Sequence, residues 1–213
     1  REILCRYSIV MIKAILFDLD GVLVNMPDGH YEALNKALKL FGVEIGREEH
    51  DNHFNGLPSR KKLEELEQQG RLPHGLRDFL NNVKQKYTKE LIPQYCTPDY
   101  SKIILLNHLK SRNLLLGCCS NSVQETLHLM LKSAHLFDHF DLILGNDEVK
   151  NSKPHPEIYL EAFKRLNVKP TETIIVEDAP HGIAAAKASG ARVIEVRGVN
   201  DVHLSLFLDI LDK

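Results

Sequence analysis

The sequence predicts an α/β fold, with an open parallel sheet as its core and an all-helical cap inserted after the first strand. Short apolar runs alternate with helical patterns over residues 11–26 and 99–213, which is typical of buried parallel strands joined by right-handed crossovers. Residues 27–98 carry one helical pattern after another and form the predicted cap. Residues 1–10 precede Met11 and are treated as a candidate N-terminal extension.

The core is expected to be Rossmann-like, because its apolar runs are separated by amphipathic patterns long enough for a helical crossover. Gly190 provides a stop signal after the last of these patterns. The predicted strands span residues 12–17, 114–119, 141–144, 173–176 and 191–196, and the predicted helices span 104–109, 123–131, 158–166 and 183–188.

The predicted cap begins with an apolar stripe over residues 33–41, which ends at Gly42. Residues 57–66 and 76–87 supply further amphipathic helices. The chain crosses between core and cap twice, so the insertion has a natural hinge. We therefore expect a helical lid over the strand ends.

Composition and charge restrict the class of protein. Of 213 residues, 43% are hydrophobic and 26% are charged, which is ordinary for a globular chain and excludes a disordered one. Lys and Arg number 27 against 29 Asp and Glu, so no nucleic-acid partner is expected. The apolar stretch 9–17 is interrupted by Lys13 and is too short for a membrane helix. Cys118 and Cys119 are expected to be buried, and a cytoplasmic protein is the prediction. The sequence leaves the oligomeric state open, with a monomer favoured.

Acidic residues follow two of the predicted strands. Asp18 and Asp20 are two positions apart, on one face of an extended chain, and Gly21 allows a sharp turn after them. Glu177 and Asp178 follow the fourth strand. Ligands of open α/β sheets bind at the carboxyl ends of the strands, so these carboxylates are expected to crowd together. Such crowding is unfavourable without a cation, and a sparse carboxylate set with room for water and phosphate favours Mg²⁺.

Polar residues also follow the second and third strands. Ser120 and Asn121 offer a hydroxyl and an amide, and Lys153 offers an ammonium group in the loop after the third strand. Each feature alone has a simpler interpretation, since Ser120 and Asn121 suit a helix cap and Lys153 suits a solvated loop. Only their shared position at one edge of the predicted sheet favours a site.

Four short segments carry a family resemblance. They are residues 17–22 (FDLDGV), 120–122 (SNS), 152–156 (SKPHP) and 176–179 (VEDA). With this set in this order, the sequence resembles the haloacid dehalogenase superfamily, in the branch with a helical cap after the first strand, close to β-phosphoglucomutases and small sugar phosphatases. The resemblance covers most of the chain.

The resemblance implies a phosphoryl-transfer enzyme. Asp18 would be the nucleophile that forms an aspartyl phosphate, and Asp20 would be the general acid and then the general base. Mg²⁺ would be held by Asp18, the backbone carbonyl of Asp20 and Asp178, with Glu177 beside them. The phosphoryl oxygens would be bound by Ser120, Asn121 and Lys153.

In the predicted cap, the resemblance singles out Arg60 and His30 as substrate-binding residues. Arg60 matches a position that can reach the site and bind a second anionic group, and His30 matches a hinge histidine of the mutases. A solvated cation is an equally good interpretation of Arg60, and a polar residue near a helix start is an equally good interpretation of His30. Asn25 and Met26 depart from the usual pattern of Asp followed by Ser or Thr, which weakens the expected polar contacts at the hinge. Val123 stands where the mutases carry Lys, which favours a hydrolase.

The leading prediction is a Mg²⁺-dependent phosphatase that acts on a small phosphorylated metabolite such as a sugar phosphate. A β-phosphoglucomutase-type phosphotransferase would use the same residues, with a substrate hydroxyl in place of water as the acceptor. A catalytically inactive binding module is the third hypothesis, and the crowded carboxylates argue against it.

Overall fold

The computed structural model of the protein describes residues 11–54 and 57–211. The candidate extension at residues 1–10, with Cys5, lies outside the described residues. Within them, five parallel strands form one sheet in the order β3-β2-β1-β4-β5. The strands are β1 (Ala14–Phe17), β2 (Leu115–Cys119), β3 (Leu142–Leu144), β4 (Thr173–Glu177) and β5 (Arg192–Glu195).

The register of the sheet aligns the strand ends that carry polar residues. Phe17, the last residue of the central strand β1, is opposite Cys118 of β2 and Val176 of β4. The residues that follow these positions therefore meet at one edge of the sheet, as ligand sites of parallel sheets require.

Helices cover both faces of the sheet and form a separate group after β1. They are α1 (Pro27–Leu38), α2 (Arg47–Glu49), α3 (Ser59–Gln68), α4 (Arg77–Tyr95), α5 (Tyr100–Ser111), α6 (Gln124–Ser133), α7 (Glu157–Leu166), α8 (Pro180–Ala188) and α9 (Leu204–Leu211).

The hydrophobic core has two layers because side chains alternate along each strand. Phe17 and Cys118 belong to one layer, which packs against α5, α6 and α9. Leu16 and Cys119 belong to the other, which packs against α7 and α8. Both cysteines are free thiols that are fully buried, as expected from the sequence.

The helices after β1 have an apolar cluster of their own. It joins α1, α3 and α4 and includes Leu34, Phe54, Leu63 and Leu80. Helix α1 continues into one turn of 3₁₀ helix, which ends at Gly42 in the left-handed region with a φ of 69°. These helices thus have an apolar cluster distinct from the two layers of the sheet, although Ala33 of α1 and Leu91 and Ile92 of α4 also pack in the layer that contains Phe17.

The predicted α/β fold class is confirmed, and the differences lie in the helices. The helix predicted over 76–87 runs on to Tyr95, with Pro93 inside it. Helix α9 and the short helical segment of residues 47–54 were not predicted. The cap boundaries at 27 and 98 stay a prediction. Within the described residues, none of the helices is both long enough and apolar enough to cross a membrane.

Candidate active site

The loop after β1 places two carboxylates at the edge of the sheet. Asp18 continues the strand, since its N–H donates to the carbonyl of Val176 at 3.0 Å. Gly21 then turns the chain with a φ of 83°, and its N–H donates to the carbonyl of Val24 at 2.8 Å. A Cβ atom at position 21 would lie 1.9 Å from Oδ2 of Asp178. Position 21 therefore requires glycine, both for its backbone conformation and because Asp178 closes on this loop.

Lys153 connects the acidic residues of neighbouring strands. Its side chain is buried, and Nζ donates to Oδ1 of Asp18 at 2.7 Å, to Oε1 of Glu177 at 2.5 Å and to the carbonyl of Cys119 at 2.8 Å. Burial alone would lower the pKa of Lys153, but the two carboxylates raise it well above its usual value. The ammonium group therefore stays charged between Asp18 and Glu177.

The loop after β2 supplies Ser120 and Asn121. Ser120 is buried, and its Oγ accepts a hydrogen bond from the N–H of Ser122 at 3.1 Å, which steadies the turn. Oδ1 of Asn121 accepts a hydrogen bond from the N–H of Lys153 at 3.0 Å. This side chain thus ties the β2 loop to the loop that carries the lysine. Ser120 and Asn121 line the same cleft as Asp18.

Three carboxylates lie close enough to share a cation. Asp18, Glu177 and Asp178 each offer one oxygen, and these oxygens lie within 4.8 Å of one another. Oδ1 of Asp20, Oε2 of Glu177 and Oδ1 of Asp178 are buried without a hydrogen-bond partner in the part of the chain that the structure describes. Unpaired buried carboxylate oxygens are costly, and a hard divalent cation takes such oxygens as ligands. The residues present therefore fit a metal ion.

Burial also changes the proton affinity of these acids. Burial raises the pKa of Asp18 well above its usual value, although Lys153 opposes the rise, and Glu177 and Asp178 add to it. Burial, together with Glu177 and Asp20, raises the pKa of Asp178 to about 6. A bound cation would favour the ionised carboxylates, so protons and metal compete for this cluster.

The helices after β1 face these acids with basic side chains. Nε2 of His30, on α1, lies 3.1 Å from Oδ2 of Asp20, and Nδ1 of His30 lies 3.3 Å from Nζ of Lys84, on α4. Lys62, on α3, is buried and lines the cleft, and its ammonium group pairs with none of the described residues. Burial lowers the pKa of Lys84 to about 8, and burial with the nearby charge of Lys84 lowers the pKa of Lys62 to about 7.

A cleft of about 640 Å³ lies between the acids at the edge of the sheet and the basic side chains of α1, α3 and α4. Among the described residues, every ionisable side chain that α1, α3 and α4 contribute to the cleft is basic. We refer to Asp18, Asp20, Lys153, Glu177 and Asp178 as the acidic floor, and to His30, Lys62 and Lys84 as the basic roof.

Comparison with known proteins gives a consistent result. The family model of haloacid dehalogenase-like hydrolases matches residues 15–196. The chain belongs to this family. A phosphorylated carbohydrates phosphatase of Thermotoga maritima is 30% identical over an alignment of 195 residues, which covers 89% of this chain and 88% of that protein. A validoxylamine A 7′-phosphate phosphatase of Streptomyces hygroscopicus subsp. limoneus is 28% identical over 95% of this chain and 94% of its own.

A solved structure of the family is also similar. The crystal structure of β-phosphoglucomutase from Clostridium difficile has a TM-score of 0.81 and 27% identity, and it covers 95% of this chain and 98% of that chain. The predicted family is thus confirmed, and so is the prediction of a phosphohydrolase of the haloacid dehalogenase type.

The structure brings the predicted site residues of this haloacid dehalogenase-like hydrolase to one cleft, whereas their individual roles stay predictions. Arg60 lies at the rim of the cleft. Its side chain is 70% exposed, and its guanidinium donates to Oδ1 of Asp78 at 2.7 Å. The other predicted residues that line the cleft are Asp18, Asp20, His30, Ser120, Asn121, Lys153, Glu177 and Asp178.

Sequence reasoning missed Lys62 and Lys84. Lys84 lies in register with Leu80 and Thr88, which are four residues away on either side and are buried. That spacing was the available signal, because a lysine at a core-facing position of an amphipathic helix is unusual. Lys62 precedes buried Leu66 by four residues, so the same signal applies to it.

Met26, one of the two departures from the family pattern, has an apolar role. It is fully buried, and Sγ of Cys96 contacts its sulfur at 3.9 Å. A Cβ atom at Gly29 would lie 2.7 Å from Cε of Met26, so the start of α1 packs directly on this side chain. Asn25 is exposed. The hinge is therefore steadied by apolar packing, and Asp20 takes its polar contact from His30.

Proposed function

We propose that the protein is a Mg²⁺-dependent phosphatase that hydrolyses a small phosphorylated carbohydrate through an aspartyl-phosphate intermediate. The observation that carries this proposal is the carboxylate of Asp18 at the end of the central strand. It contacts the ammonium group of Lys153 at 2.7 Å and faces a cleft lined by further acids. A carboxylate in this position can attack phosphorus and split one displacement into two easier ones.

The chemical steps use the two aspartates in turn. An oxygen of Asp18 forms a bond to phosphorus while the bond from phosphorus to the leaving oxygen breaks, and Asp20 gives its proton to that oxygen. Asp20 then accepts a proton from the water that attacks the phosphorus of the aspartyl phosphate, which releases phosphate and restores Asp18. His30 supports this role, because it contacts Oδ2 of Asp20 and orients the carboxyl group.

Charge on the transferred group is balanced by residues of the β2 and β3 loops. Lys153 supplies a buried positive charge next to Asp18. Ser120 and Asn121 present polar groups to the same cleft, and in our proposal they bind the phosphoryl oxygens with Lys153.

The acidic floor would hold the metal ion. Its ligands would be Asp18, the backbone carbonyl of Asp20, Asp178 and Glu177, and the unpartnered oxygens of Glu177 and Asp178 support this set. Bound Mg²⁺ supplies positive charge that reduces the repulsion between an anionic nucleophile and a phosphate group.

The substrate class rests on the cleft and on the relatives. A volume of about 640 Å³ is in the range of small-molecule sites, and the basic roof attracts an anionic ligand. The Thermotoga maritima relative is a phosphatase of phosphorylated carbohydrates, and we propose the same class here. Neither a nucleic acid nor a membrane is proposed as a partner, and the cytoplasmic location stays a prediction, as does the monomer that the sequence only favours.

A phosphotransferase of the β-phosphoglucomutase type is the second candidate. The similarity of the whole chain to the Clostridium difficile β-phosphoglucomutase favours it. Val123 favours the hydrolase instead, because this half-buried apolar side chain lines the cleft where the mutases are expected to carry Lys.

Phosphate release by the purified protein tests the proposal. The panel contains β-glucose 1-phosphate, hexose 6-phosphates, phosphoglycolate and an aryl phosphate, with and without Mg²⁺. We expect release that requires Mg²⁺ and is lost in Asp18→Asn. Conversion of β-glucose 1-phosphate to glucose 6-phosphate without phosphate release would establish the mutase instead, and inactivity in both assays would contradict an enzyme of either kind.

A further inference from the structure

Tyr159 contacts the acidic floor from outside the cleft. It lies on α7 and is fully buried, with Leu16 and Ile175 in the same apolar cluster, and it does not belong to the cleft lining. Its hydroxyl donates a hydrogen bond to Oε1 of Glu177, and its ring centroid lies 5.0 Å from Nζ of Lys153. Tyr159 therefore touches two residues of the floor without being able to touch a substrate.

The carboxylate of Glu177 is held unevenly. Oε1 accepts hydrogen bonds from Tyr159 and Lys153, whereas Oε2 is buried and has no partner among the residues described here. Space for the carboxylate exists because residue 182 is glycine, since a Cβ atom there would lie 2.2 Å from both oxygens. The side chain thus has one saturated oxygen and one unsatisfied oxygen in a fixed orientation.

We infer that Tyr159 is a positioning residue for the metal site, because its hydroxyl, together with Lys153, occupies Oε1 of Glu177 and leaves Oε2 for a divalent cation. The inference rests on the proposed function in that it takes the acidic floor as a metal site. Groups that bond to a metal ligand fix its orientation, and their loss typically weakens metal binding by about 10–100-fold.

Lys153 cannot replace the tyrosine in this role. Its ammonium group is already shared between Asp18, Glu177 and the carbonyl of Cys119. Without the hydroxyl, one fewer donor would hold Oε1, and the carboxylate could turn either oxygen toward Lys153. The hydroxyl of Tyr159 and the ammonium group of Lys153 together fix which oxygen of Glu177 they hold. Tyr159 therefore orients the carboxylate and does not merely pack against it.

The test is a Mn²⁺ titration of the full chain followed by electron paramagnetic resonance, with no substrate present. Tyr159→Phe keeps the ring and its contact with Lys153 and removes only the hydroxyl. We expect its dissociation constant for Mn²⁺ to rise about 10-fold. Tyr31→Phe is the matched control, because the hydroxyl of Tyr31 donates to the carbonyl of Ile45 at 3.2 Å, away from the floor. Its affinity for Mn²⁺ should equal that of the wild type.

A double-mutant cycle with Glu177→Gln separates positioning from a general loss of structure. If Tyr159 acts through Glu177, Tyr159→Phe has no further effect on Mn²⁺ affinity once Glu177 is replaced. Unchanged affinity in Tyr159→Phe, or an equal loss in both backgrounds, would overturn the inference.

A second measurement keeps Tyr159 in place and applies if Tyr159→Phe does not fold. Mg²⁺ binding to the wild type should shift the tyrosine ultraviolet absorption, and the shift should vanish in Glu177→Gln. A shift that persists in Glu177→Gln would overturn the inference. If the wild type releases no phosphate from any ester but Tyr159→Phe still weakens Mn²⁺ binding, the inference stands and only the phosphatase is refuted.

Discussion

The floor and the roof of the cleft solve the problem of buried charge in opposite ways. On the floor, Lys153 pairs directly with Asp18 and Glu177, and the unpartnered oxygens of Glu177 and Asp178 remain for a cation. On the roof, the buried ammonium groups of Lys62 and Lys84 have no carboxylate within ion-pair distance among the described residues. The charges of the floor are therefore held by one another. The positive charges of the roof lack a negative partner, and an anionic ligand would stabilise them.

Replacement of the floor nucleophile should have the largest effect. Asp18→Asn removes the attacking carboxylate but keeps its shape, so we expect phosphate release to fall on the order of 10³-fold or more. Steady-state phosphate assays measure this. The matched control is Asp138→Asn, which changes an exposed aspartate in the 3₁₀ turn between α6 and β3, outside the cleft. Retention of a tenth of the wild-type rate in Asp18→Asn would remove Asp18 from the mechanism.

The contact between roof and floor is probed at His30. In His30→Asn, Asp20 loses the group that orients it, so kcat for a sugar phosphate should fall by about 10²-fold. An aryl phosphate should lose little, because its leaving oxygen needs no proton. His74→Asn, which changes an exposed histidine in the turn between α3 and α4, should behave like the wild type. An equal loss for both esters would mean that His30 does not act through Asp20.

The unpaired cation of the roof should affect binding more than turnover. Lys62→Met is expected to raise KM about 10-fold, equivalent to about 1.4 kcal/mol, with kcat nearly unchanged. Lys86→Met, an exposed lysine on α4 outside the cleft, is the matched control. A fall in kcat at constant KM would contradict a binding role.

The same roof residues predict a pH dependence. The pKa of Lys62 is lowered to about 7 and that of Lys84 to about 8, so both are charged below these values and lose their protons as pH rises. KM of the wild type should therefore increase between about pH 7 and 9, and the increase should be smaller in Lys62→Met. KM values that do not change over this interval would show that the two ammonium groups do not contact the substrate.

Arg60 should show the smallest effect of these substitutions. Its exposed guanidinium pairs with Asp78, and exposed ion pairs contribute about 0–1 kcal/mol. Arg60→Met should therefore change KM by less than about twofold, well below the effect of Lys62→Met. The opposite ranking would move the anion contact from Lys62 to Arg60.

The same contrast explains what the sequence could predict. Asp18 and Asp178 directly follow strands, and Lys153 lies in the loop after β3. Because strand ends of a parallel sheet share one edge, these residues could be grouped by their positions in the sequence alone. The roof residues lie within helices. Lys62 is buried in the cleft whereas Arg60 is exposed at its rim. The two residues differ by about 200° around α3, and the rotation of this helix is set by packing rather than by a motif.

The fold was predictable for a similar reason. Buried parallel strands are short and apolar, so their number and order along the chain were evident, whereas their order within the sheet depends on crossovers that no sequence pattern marks. The helix predicted over 76–87 continues past Pro93 to Tyr95. The contact made by the hydroxyl of Tyr159 could not be predicted, because the other buried residues of its helix are all apolar.

The glycine turn at position 21 couples ligand binding to the folding of the entire sheet. Asp178 reaches the loop after β1 only when β4 is paired beside that strand, although the two segments lie far apart along the chain. An unfolded chain cannot assemble this set of carboxylates. By mass action, a divalent cation at 100 times its dissociation constant would then raise the free energy of unfolding by about 2.7 kcal/mol. Thermal denaturation with increasing Mg²⁺ would therefore measure occupancy of the site without any substrate.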